Sequence, residues 1–127
     1  MGCGARDYRF RLEDNTADGS SAAQVVVGPP LRNIERLDEV TVVLLRNGME
    51  CGSATGRAAS GHPAAGVAWL VRQLALHGLH VEEGHIVLTG ELTRAVPLDF
   101  GDRVEAVDDQ THVVVRRPTP RIPRPQR

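Results

Sequence analysis

Lysine is missing altogether: all 15 basic residues of this 127-residue chain are arginine. That excludes a Schiff-base lysine and a flexible ammonium clamp on a substrate. Aromatic residues make up only 3%, so any core must be built from Val, Leu, Ile and Ala. The two cysteines, Cys3 and Cys51, form neither a C-x-x-C pair nor a zinc pattern, and a reducing compartment is the simplest reading. No apolar run approaches the roughly 20 residues of a membrane span. The opening MGCGARDYRF has no signal-peptide stretch, and Arg6 stands where a myristoylation motif requires Ser or Thr. A cytoplasmic protein without membrane association is expected. Acid-x-acid pairs are also absent, so no strand offers two neighbouring carboxylates on one face to chelate a hard cation.

The formal charge of -1 argues against a nucleic-acid binder, although charge is unevenly spread. Arg116, Arg117, Arg121, Arg124 and Arg127 crowd the last twelve residues, leaving a net of -6 for the rest. That last stretch, RRPTPRIPRPQR, is too rich in proline for regular structure, so a flexible tail over 117–127 is expected. With 41% hydrophobic residues, 1–116 reads as one domain, long enough to bury about two-thirds of its unfolded surface.

The alternation in DYRFRL predicts a strand covered on one face. Gln24 to Val27 is a short β-branched run stopped by Gly28-Pro29-Pro30. EVTVVLLRNGMECGSATG reads as a hairpin, Val40 to Arg46 and Met49 to Ala54, turning at Asn47-Gly48. Pro63 to His77 reads as a helix: Pro63 suits its first turn, and Gly78 stops it. Val67, Leu70, Val71 and Leu74 form a stripe expected to lie buried against the sheet. HIVLTG reads as a buried strand and LDFGD as a turn. RVEAVD and HVVVR make a second hairpin around Asp108-Asp109-Gln110. Six or so strands and one substantial helix describe a β-rich α+β domain.

His77 and His80 straddle the helix stop and share no helical face, His85 falls in a turn and His112 at a strand edge, and all four read as surface residues. His62 precedes Pro63 at a helix entrance, either packed under the turn or placed where outward N–H groups favour an anion. The residues alone assemble no metal site and no catalytic constellation.

The order of motifs resembles a known family. RDYRFRLEDNTADGSSAAQVVVGPP, NGMECGSATGRAASGHPAAGVAWLVRQLALHG and LHVEEGHIVLTGELTRAVPLDFGDRVEA together are similar to the C-terminal half of the 2-keto-4-pentenoate hydratases, within the fumarylacetoacetate hydrolase superfamily. The resemblance runs from about Arg6 to Val115 and is most specific at G-H-P, A-W-L and L-T-G. It implies a partial domain in which the Gly-His-Pro helix packs across a mixed sheet curved into a β-roll. It also implies a cytoplasmic hydro-lyase of aromatic meta-cleavage catabolism. Such an enzyme hydrates 2-hydroxypenta-2,4-dienoate with a divalent Mg or Mn ion that polarises the 2-oxo acid's carbonyl.

Carried over by residue, Ser20, Thr89 and Gly90 fall on substrate-cavity lining positions, and His62 and Pro63 on an architectural turn. Gly19 stands where the family has Asn, and Glu91 where Ser commonly follows Leu-Thr-Gly. The family's Glu-x-Glu and third Glu lie before the DYRFRL strand, so the residues given include no metal ligand. Asp18 and Glu91 could offer only scattered oxygens, and weak metal binding is expected. Three readings follow from the resemblance. The chain is a truncated or split hydratase, with a complementing N-terminal half or a homo-oligomer as partner. Alternatively it is a sibling 4-oxalocrotonate decarboxylase, or a non-catalytic interaction domain that kept the fold.

Overall fold

The computed structural model describes residues 23–120. The DYRFRL strand and Ser20 lie outside them, as does the end of the chain from residue 121.

Four strands and one α-helix are present among the described residues: β1 (Thr41–Arg46), β2 (Met49–Thr55), α1 (Pro63–Leu76), β3 (Arg103–Val107) and β4 (His112–Arg116). The strands form one sheet in the order β2-β1-β3-β4. Every pairing is antiparallel, where the resemblance implied a mixed sheet. β1 and β2 are the expected hairpin, with Asn47 (φ 52°) and Gly48 (φ 81°) both left-handed, as a two-residue turn between twisted strands requires. Gly52 lies opposite Leu44 and Glu50 opposite Leu45, so Cys51 is the extra residue of a bulge in β2. Cys51 is not a free thiol, and cysteine usage therefore no longer speaks for a reducing compartment.

β3 and β4 are the second expected hairpin. Its turn is built by Asp108, whose carboxylate accepts from the backbone N–H groups of Gln110 (2.6 Å) and Thr111 (2.7 Å) and from the Thr111 hydroxyl (2.9 Å). Gln110 clamps the approach to β1, its side-chain oxygen accepting from the N–H groups of Arg32 and Asn33, both at 3.0 Å.

The predicted strand over HIVLTG does not form, and Gln24 to Val27 joins no ladder. Ile86 and Leu88 are 69% and 64% exposed, and no described strand lies alongside to take their backbone groups. An apolar run signals that a segment belongs under cover. Whether it becomes a strand depends on a neighbour to pair with.

α1 starts and stops as its sequence dictates, ending one residue earlier than predicted. His77 is its C-cap, and Gly78 (φ 69°) takes the left-handed position. Leu79 N–H reaches the Leu74 carbonyl (2.9 Å) and Gly78 N–H that of Ala75 (3.1 Å), the paired bonds of a Schellman ending. The expected burial of its stripe fails. Val67, Leu70 and Leu74 are only half-buried and Val71 is 42% exposed. α1 packs on the 3-10 turn Gly56–Ala58 rather than across the sheet. No apolar side chain among the described residues is buried, whereas Asp102 and Glu105 are. This is a framework with an open apolar side, a partial domain.

No helix among the described residues is long and apolar enough to cross a membrane.

Candidate functional site

The turn that launches α1 is built from both sides. Gly56 is the one buried glycine among the described residues, held where its N–H meets the Val40 carbonyl (2.9 Å). Arg57 N–H donates to the Asp38 carbonyl (2.8 Å), and its guanidinium reaches the Asp38 carboxylate (2.9 Å). This contact holds the Asp38 carboxyl below the ordinary carboxylate range. Gly61 (φ 87°) then lets the chain reverse, its N–H returning to the Arg57 carbonyl (2.8 Å).

His62 follows as the N-cap, with extended backbone, and its Nδ1 accepts from Ala64 N–H at 3.0 Å. A ring nitrogen thus does the work that Ser or Asp oxygens usually do, while Pro63 occupies the first helical position. The Ala64 donor is thus taken by the cap. His62→Ala is expected to cost about 1 kcal/mol of stability in urea unfolding, with Asn restoring most of it.

Thr89 is brought to the same place. A Cβ added at Gly66, one turn into α1, would lie 3.7 Å from Thr89 Cγ2, and one at Gly52 on β2 would lie 3.6 Å from Thr93 Cβ. The 89–93 segment therefore runs between the start of the helix and the sheet edge. Thr89, Gly90 and Glu91 on it are all exposed. Ser20 and Asp18, the other residues expected near a substrate, lie outside the described residues.

A cavity of about 520 Å³ lies elsewhere, between Asn33, Arg36, Glu39, the Thr41 end of β1 and the Asp108–Gln110 turn. Several of its polar groups are already engaged. Arg36 pairs with Glu39, Asp108 caps its own turn, and Gln110 holds the backbone at 32–33.

The strongest electrostatics were not anticipated from sequence. Asp102, at the turn before β3, accepts from Arg46 Nε (2.8 Å), Asn47 Nδ2 (2.7 Å) and the Asp99 N–H (2.8 Å). Hydrogen bonds from Asn47, the Asp99 backbone and Arg46 outweigh burial and hold its carboxyl low. Arg46 is in turn pushed up by Asp102 and Asp99. Burial works against ionisation of Asp108, but the backbone of Gln110 and Thr111 prevails and its carboxyl too is held low. Glu105, buried on β3, lies between Arg103 and His112, whose Nε2 is 2.7 Å from it. The remaining histidines stand apart, His80 and His85 beside Glu82.

Three carboxyls lowered in the folded state fix the sign of the pH dependence. Above the unfolded carboxylate range, near about 4, their contribution is fully present; it is lost as pH falls through the lower folded values. Urea midpoints are therefore expected to stay level from pH 7 to about 5 and to fall steeply towards pH 2. A midpoint rising on acidification would contradict these assignments.

A divalent ion does not fit the described residues. No group of three or more His, Cys, Asp or Glu side chains converges among them, and the two buried carboxylates are committed to cations and amides of the fold. Glu91 is exposed and belongs to no such group among the described residues.

No protein-family model matches the chain. Similar curated proteins do exist. A 2-hydroxyhexa-2,4-dienoate hydratase of Comamonas testosteroni is 34% identical over 103 residues, 80% of this chain and 39% of that protein. A 4-oxalocrotonate decarboxylase of Pseudomonas sp. (strain CF600) is 36% identical over 100 residues, 77% of this chain and 38% of that protein. Among solved structures, a 4-oxalocrotonate decarboxylase from Pseudomonas putida G7 is complexed with calcium and acetate. It superposes with a TM-score of 0.60 at 34% identity, over 63% of this chain and 31% of that one. The same enzyme is also known complexed with magnesium and adipate. The chain spans about two-fifths of the length of these curated relatives, and the match falls in their C-terminal part. A four-stranded sheet, a Gly-His-Pro helix and this similarity lead to one assignment: the chain belongs, as a C-terminal part, to the 2-keto-4-pentenoate hydratase and 4-oxalocrotonate decarboxylase family.

Proposed function

We propose that the chain is the C-terminal part of a hydro-lyase that adds water to 2-hydroxypenta-2,4-dienoate or a close 2-oxo acid relative. Ser20, Thr89 and Gly90 would line the substrate cavity, while His62 and Pro63 fix the turn beside it. The observation that carries the reading is the seating of Thr89 against Gly66, in the opening turn of a helix capped by His62. Two separate segments thereby meet at the helix start, and one of them carries the Thr89 that the resemblance assigns to the lining. In this reading the 1–116 unit is one half of a larger β-roll, and 117–127 is an appendage. Arg117 itself is tied to the sheet end, stacked 4.1 Å over Phe100, its N–H on the Asp102 carbonyl at 3.0 Å.

Metal ligation would come from the part of the architecture that precedes the matched region, because the described carboxylates do not converge. This chain's own contribution is shape: a wall of small and hydroxyl-bearing residues held against a helix start. A second reading, decarboxylation of 4-oxalocrotonate, is favoured by the solved neighbours and by a curated relative of the same name.

A chimera separates the two. The matched C-terminal part of the Comamonas testosteroni hydratase is replaced by this chain, and both substrates are offered with magnesium. Loss of dienoate absorbance without carbon dioxide release supports the hydratase; carbon dioxide from 4-oxalocrotonate supports the sibling. A folded chimera inert to both would overturn the enzymatic reading in favour of an interaction domain.

A further inference from the structure

The cavity between the Thr41 end of β1 and the Asp108–Gln110 turn has two sides of different character. Val43 and Val107 are direct partners across β1 and β3, so their side chains stand together on one face of the sheet, and Val40 extends the apolar lining. All three are only half-buried, which leaves hydrocarbon open to an occupant. The polar side carries one arginine, Arg36, against three acids, Glu39, Asp108 and Asp109, a net charge of -2. Arg36 and Glu39 neutralise each other, and the Asp108 carboxylate is taken up by the N–H groups of Gln110 and Thr111. Asp109 differs: it is exposed and makes no hydrogen bond or ion pair among the described residues. The Thr41 hydroxyl, in the same lining, has no partner among them either. An unengaged carboxylate beside a valine wall, in about 520 Å³, has the make-up of a small-molecule pocket. Such pockets combine apolar walls with a few polar groups that fix orientation, in volumes of roughly 300–1,000 Å³.

We infer that this cavity binds a small organic cation, an ammonium group on a short aliphatic body, with the ammonium at Asp109 and Thr41 and the hydrocarbon on Val43 and Val107. Charge selects the sign: an anion would meet Asp109, and Arg36 in the lining is already paired with Glu39. An anionic 2-oxo acid of the kind proposed above meets the same repulsion, so the cavity is a second site, apart from the Thr89 segment. A bare metal ion fits no better, because no three ligating side chains converge among the described residues and valines offer no oxygen. Binding here does not depend on whether the complete enzyme is a hydratase or a decarboxylase.

Pentylamine, protonated at neutral pH, is the probe, with pentanol and pentanoate as its neutral and anionic counterparts. Each is titrated into the full-length, isotope-labelled chain while backbone amide resonances are followed. Saturable shifts are expected for pentylamine at the amides of Asn33, Thr41, Asp109 and Gln110, weaker ones for pentanol and none for pentanoate. From propylamine through butylamine to pentylamine, affinity is expected to rise about twofold to fourfold per methylene as the alkyl group covers the valines. Asp109→Asn is expected to weaken pentylamine binding about fivefold or more, to the level of pentanol. Glu50→Gln, which removes an exposed acid outside the lining, should leave it unchanged. Equal binding of pentylamine by the wild type and Asp109→Asn overturns the proposal, as does a preference for pentanoate. So do shifts spread over every acidic surface, insensitive to alkyl length and lost in moderate salt, which would mean general attraction between charges.

Discussion

Replacing Gly56 by alanine is expected to destabilise the chain by about 3 kcal/mol. A Cβ there would stand 1.8 Å from the Leu37 carbonyl oxygen, 2.8 Å from its carbonyl carbon and 3.2 Å from Asp38 Cα. All three are backbone atoms, so no rotamer change can make room. Relief would require pulling apart the 37–40 segment and the 3-10 turn, along with the Gly56 and Arg57 N–H bonds that join them. Gly66→Ala is the control of opposite sign. Its Cβ would meet Thr89 at an ordinary 3.7 Å, and alanine in a helix interior gains about 0.5–1 kcal/mol over glycine. Urea unfolding of the two variants should therefore bracket the wild type; equal midpoints would mean that the close approach at Gly56 is not real.

Loss of the Asp102 carboxylate is the second large effect expected. Asp102→Ala removes the acceptor of three donors at once: Arg46 Nε, the Asn47 amide and the Asp99 N–H. The Arg46 side chain is only 18% exposed, so water cannot fully replace the lost partner. Asp99, which shares Arg46 but is 73% exposed, should be nearly dispensable when changed to alanine. The ordering is the test. Thermal midpoints should fall several times further for Asp102→Ala than for Asp99→Ala. The double variant Arg46→Met with Asp102→Leu should lose less than the two single losses together, because neither charge is then left alone. Additive losses would mean that the two side chains do not act as a unit.

What could be read from the sequence follows from how local each signal is. Asn47-Gly48 and Asp108-Asp109-Gln110 carry their hairpins within a few residues, and both formed. His62-Pro63 and Gly78 bracket α1 in the same local way, within one residue. HIVLTG failed because pairing is not a local property: the run encodes burial, and the described residues contain no neighbour for it. The stripe of α1 failed for the same reason. Its periodicity says that a face is covered, not by what, and the four-stranded sheet is not the cover. Asp102 escaped notice because its partners at 46 and 47 lie more than fifty positions away and meet it only through the β1–β3 pairing. An aspartate after glycine ahead of a strand gives no hint of that. Thr89 entered the site by resemblance, and its contact with α1 came into view only with the helix in place.

The central claim is that this chain supplies a wall of a 2-oxo acid site while the metal-holding carboxylates come from the preceding part of the family's architecture. Calorimetric titration of the full chain with magnesium and manganese, paired with the ultraviolet absorbance of 2-hydroxypenta-2,4-dienoate, tests it most directly. Binding no tighter than about millimolar and no loss of absorbance are expected, since one exposed Glu91 leaves an ion mostly hydrated. Micromolar binding together with turnover that Glu91→Gln abolishes would contradict it, and would mean that this chain has built a complete site of its own.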